Sequence, residues 1–215
     1  MKPVKLTFSL IFTALFMISL LVCNPTAIAQ DTIKKLKEAK GLNIGDKIEN
    51  FQTTDQHGET FDLYKKLKEG PLVIVFYRGQ WCPVCNRHLS ILQDSLQFID
   101  SKGANLVAVS PEKTEYLEMT AKKTQASYPL LHDEGYKISK AFDVAFAPNK
   151  TTTTMYNSAL KADLRNAHSD NTQQLPIPAT YILAKDGKVV WRHFNPDYKQ
   201  RAPVSDILTE LDKLK

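Results

Sequence analysis

Leu72-Val-Ile-Val-Phe-Tyr77 runs through Arg78-Gly-Gln80 into Trp81-Cys82-Pro83-Val84-Cys85, and the reading of this stretch decides the fold. An unbroken apolar run of this length suits a strand buried on both faces. Beyond the second cysteine, Leu89, Leu92, Leu96 and Ile99 recur at helical spacing, which predicts one helix from about 83 to 101, stopped by Gly103. A strand, a short turn and a Cys-x-x-Cys that opens a helix make a reactive dithiol. The first N–H groups of a helix have no intrahelical partner and lie at the positive end of its dipole, so a thiolate is stabilised there. The thiolate is the nucleophilic form of cysteine.

Outward from this stretch, 104–109 is apolar except for Asn105 and reads as a second strand. The runs 179–184 and 188–193 flank Asp186-Gly187 and read as a hairpin. Phe51-Gln-Thr-Thr54 and Glu59-Thr-Phe-Asp62 flank Asp55-Gln-His-Gly58 as another. Helices are expected at 31–40, at 63–68 before Gly70-Pro71, at 113–124 with Ser110 as N-cap, and at 136–142. A last helix at 203–213 turns Ile207, Leu208 and Leu211 inward, and 128–132 reads as extended. Residues 147–175 are polar and carry the run Thr151 to Thr154. They read as an insertion packed on the domain, with helix-forming character from 155 to 164. Strands alternating with helices, then a hairpin, argue for an α/β sandwich with a mixed central sheet flanked by helices.

The chain has 215 residues and a formal charge of +5. Lys2 and Lys5, the apolar run from Leu6 to Val22 and the small residues Ala27-Ile-Ala29 read as a signal peptide over residues 1–29. Cleavage after Ala29 leaves an exported, periplasmic or secreted protein with no stable membrane insertion. Bulky Leu21 and Val22 argue against lipid attachment at Cys23. Residues 30–41 form a helical lead, and 42–215 suffice for one domain with a full core. Losing Lys2 and Lys5 lowers the charge to +3, with acids and bases interspersed and no basic block, which does not suggest nucleic acid as a partner. The two cysteines left, Cys82 and Cys85, close too small a loop to stabilise the fold much, so the pair is chemical rather than structural.

Four segments carry a family resemblance: Gly45-Asp46-Lys47, Phe76-Tyr-Arg-Gly-Gln-Trp-Cys-Pro-Val-Cys85, Leu175-Pro-Ile-Pro-Ala-Thr-Tyr-Ile-Leu183 and Asn195-Pro-Asp-Tyr-Lys-Gln-Arg201. With these, residues from about 42 to 211 resemble the alkyl hydroperoxide reductase/thiol-specific antioxidant (AhpC/TSA) family of the thioredoxin superfamily, nearest its peroxiredoxin-like branch. The resemblance implies a thioredoxin-like sandwich, an antioxidant thiol-dependent activity and no cofactor. It also implies a cis bond before Pro178, packed against the dithiol. Typical peroxiredoxins of this family carry Pro-x-x-x-Thr-x-x-Cys. Laid on this chain, Arg78 stands at the proline, Cys82 at the threonine and Cys85 at the peroxide-attacking cysteine. The family's pocket arginine falls at Pro178. Arg78, Arg165 or Arg201 can supply a cation from another direction.

The leading expectation is therefore a redox disulfide, Cys82–Cys85, that reduces or exchanges protein or small-molecule disulfides. Cys82, exposed and nearest the helix N-terminus, is the nucleophile, and Cys85 resolves the mixed disulfide. Trp81 forms an apolar wall beside the sulfur, while Arg78 and Arg87 lower the thiol pKa. The alternative is reduction of hydroperoxides, with Cys85 peroxidatic and Cys82 resolving. An alternative of another class is a copper-binding module, suggested by His88 three residues after Cys85, although no ligand set for a metal is grouped in the sequence. His57, His132, His168 and His193 read as surface or strand-end residues.

Overall fold

The computed structural model describes residues 33–214, so the expected signal peptide at 1–29, Cys23 and the start of the expected N-terminal lead lie outside the described residues. A hairpin of β1 (Gln52–Thr54) and β2 (Thr60–Asp62) leads into α1 (Leu63–Glu69), whose N-terminus is capped by the Asp62 carboxylate accepting from the Lys65 N–H at 2.9 Å. Next come β3 (Leu72–Phe76), α2 (Pro83–Asp94), α3 (Leu96–Ser101), β4 (Asn105–Ser110), α4 (Thr114–Thr124) and β5 (Leu130–His132). A 3₁₀ turn at Glu134–Tyr136 enters α5 (Lys137–Ala141), followed by β6 (Ala145–Phe146), α6 (Lys150–Ala159) and α7 (Leu164–Ala167). β7 (Leu175–Pro176), β8 (Ala179–Leu183), β9 (Val189–Phe194) and α8 (Val204–Asp212) complete the chain.

The main sheet has the order β5-β4-β3-β8-β9. β3 lies at its centre, parallel to β4 from Leu72↔Asn105 to Phe76↔Val109 and antiparallel to β8 from Leu72↔Leu183 to Val75↔Thr180. Every residue of β3 and β8 is buried, as their apolar character demands. Phe76, Phe142 and Tyr181 form an aromatic cluster beneath the sheet, with ring centroids 5.0 to 6.2 Å apart. The architecture is the expected α/β sandwich with a mixed central sheet.

Three local expectations need correction. The described part of 31–40 is not a helix but an extended piece and a turn. Lys35 bridges Ala147, the Ala147 N–H donates to the Lys34 carbonyl, and the Asp143 carboxylate takes both Lys34 Nζ and the Lys40 N–H. Ile33 and Leu36 are exposed, so a short helix here would bury no apolar face, and isolated short helices are marginal. The expected helix at 83–101 is two, broken at Ser95, which leaves helical geometry at φ −103°, ψ 0°. Ser110 does not cap α4. It ends β4, its Oγ accepts from the Glu112 N–H, and Lys113 occupies the cap position.

Candidate active site

β3 ends at the sheet's centre and delivers Tyr77, Arg78 and the turn Gly79-Gln-Trp81 to the N-terminus of α2. Cys82 is the N-cap of that helix, and its Sγ accepts from the Cys85 N–H at 3.2 Å. Pro83 occupies the first turn, where a missing N–H costs nothing. Cys82 and Cys85 are joined as a disulfide with their Cα atoms 5.2 Å apart. Gly79 takes φ +151°, and a Cβ there would run into the Glu112 carboxyl and the indole nitrogen of Trp81, so only glycine fits.

A different guanidinium meets each sulfur. Arg78 Nη2 donates to Cys82 Sγ at 3.1 Å, and Arg201 Nη2 donates to Cys85 Sγ at 3.3 Å. Arg78 is buried, donates through Nη1 to the Tyr156 hydroxyl at 2.9 Å, and lies 3.9 Å from the centroid of Tyr198, with the Trp81 and Tyr156 rings at 5.1 and 5.2 Å. Desolvation lowers its pKa from the ordinary arginine value. Arg201 is lowered to about 10, first by burial and then by the charge of Arg78, and stays protonated near neutrality. Trp81 is buried against Tyr156 with centroids 4.8 Å apart.

Beneath the turn, Glu112 Oε2 accepts from the Gln80 N–H at 2.8 Å. Burial raises this carboxyl to about 8, against the opposing effects of that hydrogen bond and of Lys123. Lys123 Nζ and Asn86 Nδ2 both donate to the Gln80 carbonyl, so the turn is tied to α4 and α2 as well. On α2, His88 is buried and its Nε2–H donates to the Ala202 carbonyl at 3.3 Å. Burial, then the Arg201 charge, depress it to about 4, so the ring is neutral. A cavity of about 850 Å³ borders the site, lined by Arg78, Phe146, Tyr156, Ile177, Pro178 and Tyr198 among others.

Several sequence expectations change here. Cys82 is not exposed: both cysteines show 0% exposure, with a guanidinium on each sulfur. The Ile177–Pro178 bond is trans, as no cis peptide occurs among the described residues. Ile177 donates its N–H to the Val144 carbonyl and β7 pairs with β6, so the chain stays extended into β8, which the preferred trans isomer continues directly. Pro178 still reaches the cavity wall shared with Arg78. Arg87 is exposed on α2, and Arg165 lines a separate polar cleft in the 147–175 segment. His168, expected at the surface or a strand end, is buried with its Nδ1 3.0 Å from the Tyr136 hydroxyl. Among the described residues no group of three or more His, Cys, Asp or Glu side chains is arranged to hold a metal ion. Sequence reasoning passed over Tyr156, Tyr198 and Glu112. The first lies in a polar segment and the last in what reads as a helix start, so only the tertiary structure places them at the dithiol.

A family model described as AhpC/TSA family matches residues 44–192. The chain belongs to the AhpC/TSA family. This AhpC/TSA chain is similar to a chloroplastic peroxiredoxin Q of Sedum lineare, 28% identical over 77% of this chain and 75% of that protein. It is also similar to the thiol-disulfide oxidoreductase ResA of Bacillus cereus, 24% identical over 74% of this chain and 75% of that protein. Among solved structures, peroxidoxin BcpB from Mycobacterium tuberculosis matches with a TM-score of 0.63 at 20% identity, covering 81% of this chain and 99% of that one. That last likeness is one of fold, a thioredoxin-like sandwich. Membership of the AhpC/TSA family makes the chain a thiol-dependent oxidoreductase of peroxiredoxin-like type.

Proposed function

We propose that the protein is an exported thiol-dependent oxidoreductase that cycles Cys82 and Cys85 between dithiol and disulfide to reduce or exchange disulfides. One observation carries the reading: Cys82 caps α2 at the end of the central strand, bonded to Cys85, with a guanidinium on its sulfur. Cys82 attacks the partner's disulfide as a thiolate, stabilised by Arg78 and by the helix N-terminus. Cys85 then attacks Cys82 Sγ, releasing the partner as its second thiol. Trp81 and Pro178 bound the space beside the pair. Because both sulfurs are covered, the partner must displace part of the cover, and Tyr198 and Arg201, on the connection between β9 and α8, are the side chains to move. Wild-type protein is expected to exchange with glutathione disulfide, and Cys82→Ser to lose turnover. Full turnover in Cys82→Ser overturns the reading.

A second reading, reduction of hydroperoxides with Cys85 attacking and Cys82 resolving, is favoured by Arg201, whose guanidinium on Cys85 Sγ supplies a cation although Pro178 stands at the family's usual arginine position. Rapid mixing with hydrogen peroxide separates the two. A rate no faster than that of a free thiol removes the peroxidase reading. Export rests on the sequence of residues 1–29, and an N-terminal mass starting at Gln30 in the secreted fraction is its check.

A further inference from the structure

Two cations stand on one disulfide. Among the described residues neither Arg78 nor Arg201 has a carboxylate within ion-pair distance. Arg78 is partly compensated by the three aromatic rings around it. Arg201 has no such ring among the described residues, and its Nε is buried without a hydrogen-bond partner. A desolvated charge without a counter-charge is costly to a fold. Two-electron reduction of the Cys82–Cys85 bond creates up to two negative charges, one on each sulfur that a guanidinium already touches.

We propose that Arg201 is a catalytic residue acting on Cys85, as Arg78 acts on Cys82, so that the reduced site is a dithiolate with each sulfur ionised against its own guanidinium. This rests on the dithiol reading above and adds to it. Reduction then breaks the S–S bond with two electrons and takes up no proton. In the forward direction Cys82 thiolate bonds to a partner sulfur and expels the partner's other sulfur as a thiolate, which solvent protonates. Cys85, already ionised, attacks Cys82 Sγ and expels the second partner thiolate, so the resolving step needs no general base. The backbone that carries Arg201 is fixed from α2, where His88 holds the Ala202 carbonyl. The other titratable groups around the pair are His88, His193 on β9, Glu112 after β4, Lys123 on α4, and Tyr156 and Tyr198. Of these, His88 is neutral and Glu112 protonated between pH 5.5 and 7.5.

The test has two arms on the full chain. In Cys82→Ser, the alkylation rate of Cys85 is followed against pH. The midpoint is expected below about 5.5, far under the ordinary thiol value of about 8.5, to rise in Cys82→Ser/Arg201→Gln by a factor of ten or more in proton affinity, and to be partly restored by Arg201→Lys. In wild type, the redox equilibrium is measured against glutathione from pH 5.5 to 7.5. Glutathione takes up two protons when its disulfide is reduced, so an ordinary dithiol that does the same keeps a flat exchange constant over this range. The dithiolate, which takes up none, is expected to shift the exchange toward its reduced form by more than tenfold and up to a hundredfold per pH unit, about 59 mV at 29.6 mV per tenfold. A Cys85 midpoint indifferent to Arg201→Gln, or an exchange constant that stays flat with pH, overturns the assignment of Arg201 and leaves the dithiol reading standing. Absence of any exchange with glutathione overturns both.

Discussion

Glu112 holds its proton where most carboxyls have lost theirs, directly beneath the turn that delivers Cys82. Its folded pKa, about 8, lies above the ordinary 4.5 because the buried anion is desolvated. The stability it contributes is therefore complete below pH 4.5 and is lost as pH rises through about 8. A tenfold gain in proton affinity corresponds to about 1.4 kcal/mol, so the loss is on the order of several kcal/mol. Glu112→Gln retains an oxygen for the Gln80 N–H and cannot ionise. Its urea midpoint is expected to fall less than that of wild type between pH 5 and pH 9, and parallel declines would rule this role out. His88 and His168 work in the opposite window. Burial depresses each to about 4, so both are neutral in the fold, and their stabilisation is complete above pH 6.5 and lost as pH falls toward 4. Because the two share the acid-side loss, His88→Gln is expected to lessen it without abolishing it.

At the scale of elements, the close approach of α1 to the start of β4 is set by Gly70. Its backbone is extended, at φ 174°, so no conformational demand selects glycine, but a Cβ would overlap the Gly103 carbonyl. Gly70→Ala forces the β3–β4 entry apart and is expected to cost about 1–3 kcal/mol, as overpacking does, with the denaturant slope unchanged. A cost below about 0.5 kcal/mol would mean that the turn at Gly103 yields freely. The central strands were legible in the sequence because burial on both faces leaves an uninterrupted apolar run, as in 72–77. The cysteine pair was legible because its spacing and its place after a strand are local. The break at Ser95 was not, since Leu89, Leu92, Leu96 and Ile99 keep one apolar stripe across it and periodicity reports a face rather than backbone continuity. The two-residue strands β6 and β7 were also illegible, being defined only by their mutual pairing. For the same reason 147–175 read only as a polar insertion packed on the domain, with nothing to mark that α6 carries Tyr156 into the site or that Asn149 caps that helix by accepting from the Thr152 N–H.

Across the whole molecule, the groups around the dithiol come from distant parts of the chain: Arg78 after β3, Tyr156 on α6, and Tyr198 and Arg201 between β9 and α8. Unfolding disperses them, so their effect on the sulfurs exists only in the folded state, and a thermodynamic cycle links redox state to stability. If the fold favours two thiolates over a disulfide, the reduced protein resists unfolding more than the oxidised one, by the same factor that separates the folded and unfolded redox equilibria. The bridge itself opposes this only weakly. It spans a sequence separation of 3, and closing so short a loop removes little freedom from the unfolded chain. A tenfold preference is worth about 1.4 kcal/mol. For a chain of this size that amounts to a rise in Tm of about 3–6 °C on reduction. Melting curves at pH 7 with and without reductant measure it, and Arg201→Gln is expected to shrink the difference. A disulfide form that melts higher than the dithiol form would show that the guanidinium pair does not hold the reduced sulfurs as thiolates.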